Sequence, residues 1–351
     1  MIANNLIKQK FLFSSKLFFR FTFIFSFLFT ISIHTQNTPQ TKEEIIAANA
    51  KVQVLNWGGK KDASEHIYSL HNYVNLQSLD LGGAYIQNAD LKEIQNPKLS
   101  YLNLSNTIVT SEGVSTIPVL NQIRTLLLEG TLVNDTLLAT ISKSNLDRLD
   151  IGKTNITDKG IKSLTGARIS KLDLTGLKLT NESIASIATI ETLQELHLWN
   201  VKVTGRNFDT LQKLKSLSVL NLGGSDVGNE GLRYLSKLPN LKVLNLAWTK
   251  VSDEGLIDLI QCPKLEILSL NGTKISSKGI GYLSKMKKLK ILILENVPLD
   301  KNYEDLIAEI PKLKVIYLNK TTANSKSIPT LVKKVPWAAV YYEGVLQFPE
   351  E

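Results

Sequence analysis

Cysteine appears once in the 351 residues, at Cys262. One thiol excludes an intramolecular disulfide, a paired-cysteine zinc or redox site, and the Cys-x-x-Cys-His attachment of a c-type haem. Aromatic residues are scarce as well, at 7% of the chain, and nine of the eleven phenylalanines fall between residues 11 and 29. Beyond residue 35 a core must therefore be built from aliphatic side chains. No apolar run approaches the roughly 20 residues that a membrane-spanning helix requires; the longest, 21–33, has thirteen. The glycine-rich phosphate loops of nucleotide-binding proteins are absent, and no cofactor is expected.

Residues 1–35 carry Lys8, Lys10, Lys16 and Arg20, no acidic residue, and then the apolar run. That is the layout of a secretory signal peptide, with cleavage expected between Thr35 and Gln36. The mature chain is then expected to be exported, whether periplasmic, at the cell surface or secreted, with no membrane span. No cysteine follows the run, so a lipid-modified N-terminal cysteine is excluded. Setting this segment aside lowers the net charge from +9 to +5. The remaining excess lies in short lysine runs without a recognition motif, so nucleic acid is not an expected partner. Residues 36–51 read as a linker and a capping helix, because Thr41 and Glu44 make a capping-box start before an apolar face.

From residue 52 to 351 one phrase recurs. The triplet L-x-x-L-x-L starts at Leu76, Leu99, Ile123, Leu146, Ile169, Leu193, Leu217, Leu241, Leu265, Leu289, Leu313 and Trp337, in steps of 23 or 24 residues. Val52, Leu55 and Trp57 precede by the same step, making about thirteen turns. In the turn at Leu241 the alternation points Leu244 and Leu246 inward and Val243 and Asn245 outward. Ser252 sits where a helix would be capped, Asp253 and Glu254 occupy its first turn, and Leu256 and Leu259 give it a buried face. Gly113, Gly160, Gly231, Gly255 and Gly279 share one position, which implies close packing between turns. A single turn cannot bury both faces alone, so stacking is what stabilises it. Cys262 falls where other turns carry Leu214, Leu238, Met286 and Ile310, and reads as a small core residue.

The pattern resembles the leucine-rich repeat family. Thr249, Val251, Ser252, Asp253, Gly255 and Leu256 match the T-x-[VI]-[TS]-D-x-G-[LI] phrase of its cysteine-containing subtype, found in F-box receptors and in exported bacterial proteins. The resemblance implies an α/β fold, a right-handed solenoid or horseshoe with a concave parallel sheet and convex helices, and a non-catalytic protein-binding module. Too few residues separate the expected cleavage point from the first turn for an F-box, so none is expected, and the lack of cysteine-rich caps favours a bacterial source.

Function is then expected on the outward positions of the sheet. The middle column places Asp173 beside His197, with Asn221 where a nucleophile would stand and Ser269 three strands away, so a hydrolytic triad is excluded. Asp150, Asp173 and His197 on successive strands form a candidate metal site, weighed against a solvated polar column. The candidate partner-binding residues are His197, Trp199, Asn221, Asn245, Trp248 and Tyr317 together with an apolar stripe of Val219, Val243, Ile267, Ile291 and, one strand further, Val315. Exposed tryptophan and tyrosine around apolar surface are the residue types that dominate protein interfaces. A structural or self-associating envelope role is the alternative, and a metal-dependent activity at Asp173 and His197 a third reading.

Overall fold

A computed structural model describes residues 49–299, 302–318 and 327–348. The signal segment expected over residues 1–35 and the helix expected near Thr41 lie outside the described residues. Fourteen short strands form one open sheet in sequence order. They are β1 (Val54–Asn56), β2 (Ser78–Asp80), β3 (Tyr101–Asn103), β4 (Thr125–Leu127), β5 (Arg148–Asp150), β6 (Lys171–Asp173) and β7 (Glu195–His197). There follow β8 (Val219–Asn221), β9 (Val243–Asn245), β10 (Ile267–Ser269), β11 (Ile291–Ile293), β12 (Val315–Leu318), β13 (Ala339–Tyr342) and β14 (Val345–Gln347). All neighbours pair in parallel except β13 and β14, which form an antiparallel hairpin. Residue pairs such as Leu220↔Leu244 and Leu244↔Leu268 stand one repeat step apart, so the sequence period is the sheet register. Strands stack at about 4.8 Å while helices need about 8 to 10 Å, which puts the sheet on the concave side.

Each strand leads through a loop to one helical segment that packs on those of its neighbours. Several turns, including Ile67–Asn72, Asn88–Glu93 and Phe208–Lys213, form 3-10 helix where an α-helix was expected. The core is aliphatic: Leu241, Leu244, Leu246, Val251, Leu256 and Leu259 are fully buried. Cys262 joins them, and burial pushes its thiol up to about 12, away from reactivity.

Thr249, Ser252 and Asp253, the polar residues that carry the recurring phrase, each have a partner. Thr249 donates its hydroxyl to the Leu246 carbonyl at 2.6 Å, closing the loop after the strand. The Asn229 side chain reaches across to the next turn, accepting the Ser252 N–H at 2.9 Å and donating to the Ser252 hydroxyl at 2.7 Å. Asp253 repeats the clamp one turn on, accepting from both the N–H and the hydroxyl of Ser276 at 2.8 and 2.6 Å. Asp135 holds Thr157, and Asp158 holds Thr180, in the same way. Ser252 therefore works between turns. Its backbone has the extended geometry of a helix cap, but its hydroxyl accepts from no N–H of its own helix and donates instead to Glu254 at 2.5 Å, correcting the expected cap.

The clamp also explains the glycine. A Cβ on Gly255 would lie 2.5 Å from the Asn229 Oδ1, and one on Gly279 would lie 2.2 Å from the Asp253 Oδ1. Where the preceding turn offers only serine, the slot holds a large residue: Leu137 follows Ser111, and Tyr303 follows Ser277. Asparagine or aspartate in one turn thus favours a small residue in the next: glycine after Asn88, Asp135, Asn229 and Asp253, and Ser183 after Asp158, to whose carboxylate its hydroxyl donates.

At the far end Val340 is fully buried, but Trp337 is 56% exposed, so it does not fill the core position its spacing implies; Val335, two residues earlier, is buried at 1%. Beyond β13 the chain folds back, and β14 pairs with it.

The clamp predicts a coupled pair of mutations. Gly255→Ala should cost about 1 to 3 kcal/mol by overpacking. Adding Asn229→Ser should recover most of that loss in urea unfolding, and purely additive effects would show that the clamp does not set the glycine.

Candidate protein-interaction face

From β4 to β11 the outward middle column is not solvated. Asp150 and Asp173 are 5% exposed, Asn221 4% and Asn245 1%. Each side chain is flanked by its equivalents on adjacent strands and turns back onto its own loop. Asn221 Oδ1 accepts the Gly223 N–H at 3.0 Å, Asn245 Oδ1 the Ala247 N–H at 2.9 Å, and Asp173 Oδ1 the Thr175 N–H at 2.9 Å. Asn221 and Asn245 were expected to offer hydrogen bonds to a partner; their oxygens instead shape the turn that ends each strand. His197 is likewise buried, at 8% exposure. These three residues line the floor of the face and do not present its surface.

The register confirms Asp173 between Asp150 and His197, with Asn221 beyond. Burial, and then the charge of Asp173, holds the Asp150 carboxyl well above the ordinary carboxylate range. Burial holds His197 below the usual imidazole value against the opposing pull of Asp173 and Glu195. Among the described residues no group of three or more His, Cys, Asp or Glu side chains is arranged to hold a metal ion. The sequence showed the Asp150–Asp173 adjacency; that both would be buried depends on packing by the flanking loops.

What faces outward lies on either side of this column. Val219, Val243, Ile267, Ile291 and Val315 are half-buried and adjacent in register, forming the expected stripe. On the N-terminal side the stripe meets Lys171 and Glu195, paired at 2.9 Å. On the C-terminal side Tyr317 and Tyr341 stack with ring centroids 4.8 Å apart, and burial raises the Tyr317 phenol.

Along the edge where the chain leaves the strands stand Trp199, half-buried, and Trp248, 48% exposed. Each ring lies on a glycine of the next turn: a Cβ on Gly223 would be 2.1 Å from Trp199, and one on Gly272 would be 2.3 Å from Trp248. The main chain of Trp248 is held by a 2.6 Å bond from its N–H to the Asn271 carbonyl. Its φ is +59°, at a position that is left-handed in eleven turns from Gly59 to Asn296. Nine of those turns use glycine or asparagine, the types that tolerate this conformation. Trp248 and Lys153 are the exceptions, and the Lys153 side chain is tied to Glu129 at 2.7 Å.

Comparison with known proteins agrees with the fold. Residues 180–336 match the family model for the leucine-rich repeats of an FBD-associated F-box protein, and residues 95–117 and 142–164 match a Leucine Rich repeat model. The chain belongs to the leucine-rich repeat family. Among solved structures, a TDR receptor aligns with TM-score 0.52 at 16% identity, over 85% of this chain and 61% of the receptor, so the chain spans about three fifths of that receptor. An internalin from Listeria monocytogenes aligns with TM-score 0.49 at 19% identity, over 81% of this chain and 91% of that one. Direct comparison with curated protein sequences finds no match. Proteins of this family generally serve as protein-interaction scaffolds.

Two substitutions test the buried column. Asn245→Ala, taken as an exposed change, would cost under about 1 kcal/mol; with the Ala247 N–H left unpaired it should cost about 1 to 3 kcal/mol in urea unfolding. Asp150→Asn keeps the acceptor for Gly152 but removes the charge. Because the folded carboxyl sits above its unfolded value, ionisation opposes folding at neutral pH. The variant should therefore melt higher than the native protein at neutral pH. That advantage should shrink as pH falls toward about 4, the unfolded carboxyl's own value, and vanish below it, where the carboxyl is protonated in both states.

Proposed function

We propose that the sheet face from β7 to β13 binds a protein partner, with Trp248 as anchor and the stripe from Val219 to Val315 as apolar contact surface. The observation that carries this reading is the Trp248 backbone. A bulky residue in the left-handed region costs about 1 to 2 kcal/mol relative to glycine, and packing does not require the ring, since half of it faces solvent. A residue kept where the backbone disfavours it, and exposed beside apolar surface, points to use in recognition. Trp199, Tyr317 and Tyr341 extend the same surface, and the Lys171–Glu195 pair supplies its polar rim.

The reading includes export, which rests on residues 1–35 alone. N-terminal sequencing of the native protein should begin near Gln36, and recovery of residues 1–30 would contradict cleavage. Binding is tested by Trp248→Asn, which restores the residue type used by other turns. Its melting temperature should hold or rise, whereas capture of a crosslinked partner by the native protein should weaken at least about tenfold, equivalent to about 1.4 kcal/mol. Unchanged capture would remove Trp248 as the anchor.

A further inference from the structure

The six nine-residue segments that lead into β8 to β13 (211–219, 235–243, 259–267, 283–291, 307–315 and 331–339) contain thirteen lysines, no arginine and two glutamates. The corresponding segments before β2 to β7 hold six basic and four acidic residues, so the excess belongs to the C-terminal half. Because β8 to β13 are parallel and in register, all six segments emerge along one edge of the sheet, about 24 Å long at strand spacing. Lys290 and Lys334 are ion-paired, with Glu266 and Asp305; among the described residues the other eleven have no carboxylate partner. Lys285, Lys287 and Lys288 are exposed at its centre.

Large apolar groups stand at one end of this row. Trp337, 56% exposed, lies in the last of the six segments. The β13–β14 hairpin pairs Val340 with Gln347, so the chain returns to the start of β13 and brings Phe348, 72% exposed, to the same edge. A duplex or single strand of nucleic acid would be read by arginine or by aromatics interleaved along the row. Here the cations of the six segments are all lysine; Tyr234, half-buried, lies against Lys237, while the exposed aromatics Trp337 and Phe348 are gathered at one end. Lysine point charges suit a plane of phosphate headgroups, and exposed tryptophan and phenylalanine suit the apolar layer just beneath them.

We propose that this edge docks on an anionic phospholipid surface, with the lysine row on the headgroups and Trp337 and Phe348 inserted between them. The site is separate from the sheet face proposed to bind protein, and that face stays open to solvent.

The test partitions the full chain onto vesicles of phosphatidylcholine with or without about one-third phosphatidylglycerol. Stronger partitioning onto the anionic vesicles is expected, with the difference lost at about 0.5 M salt. Because residues 1–35 are apolar and basic, the decisive comparison is between variants that share them. Lys285→Glu with Lys287→Glu and Lys288→Glu should weaken anionic partitioning by about tenfold or more. Lys202→Glu with Lys274→Glu and Lys278→Glu, exposed elsewhere on the array, makes the same charge change and should alter it by less than about threefold. Equal losses in the two triples would overturn the proposal in favour of net charge alone. Trp337→Ala with Phe348→Ala should weaken vesicle binding several-fold and leave binding of soluble polyphosphate unchanged. If that pair has no effect on vesicles, the edge is a site for a soluble polyanion and the lipid assignment fails. Circular dichroism of each variant shows that the array is folded.

Discussion

Consecutive turns of this array complete one another's hydrogen bonds. The Asn229 carboxamide is saturated only by Ser252 of the following turn, and Asp253 only by Ser276. Strand backbones do the same on the other side of the core, where Leu246 N–H finds the Ser269 carbonyl at 2.9 Å. A slip of one residue between turns would break both ladders and turn every inward leucine outward. The interval of 23 or 24 residues is therefore held by polar contacts at the two edges as much as by the aliphatic core between them. Its antiparallel hairpin gives the last parallel strand a partner and leaves only a short strand at the edge.

That constraint determines what the sheet can present. The middle outward residues are drawn into the loops that carry each chain from strand to helix, so asparagine and aspartate there serve as turn formers. Surface chemistry is left to the stripe on one side and to the loop positions on the other. Trp248 occupies such a loop position and lies on Gly272, which leaves room for the ring. The same regularity brings the lysine-bearing segments into a row, since in-register strands must emit their preceding loops along one line. Two surfaces of different chemistry thus arise from one repeating geometry, an apolar and aromatic face proposed to bind protein and a cationic edge proposed to meet headgroups.

Much of this was legible in the sequence. The strand register, the inward leucines, the core placement of Cys262 and the stripe from Val219 to Val315 follow from a period that stays at 23 or 24 residues and from the alternation within each triplet. Close approach at the shared glycines was legible too, although not what approached them. The asparagine and aspartate clamp needed the side chains in place, because its two halves lie in different turns. The exposure of Trp337 was hidden by its spacing, which copies Leu313.

A leucine triplet repeated at one interval already implies a stack of equivalent α/β turns, because stacking buries the faces that a single turn leaves open. Which outward residues meet solvent emerges only on folding, because their burial depends on how a neighbouring loop folds over them. Alternation distinguishes the two faces of a strand, and it does not distinguish an open face from a covered one. His197, Asn221 and Asn245 were therefore placed on the correct side of the sheet and given the wrong exposure. The return of Phe348 to the edge that carries Trp337 was decided in the same way, by a hairpin that turns at Glu343 and Gly344 and takes its direction from the docked β13.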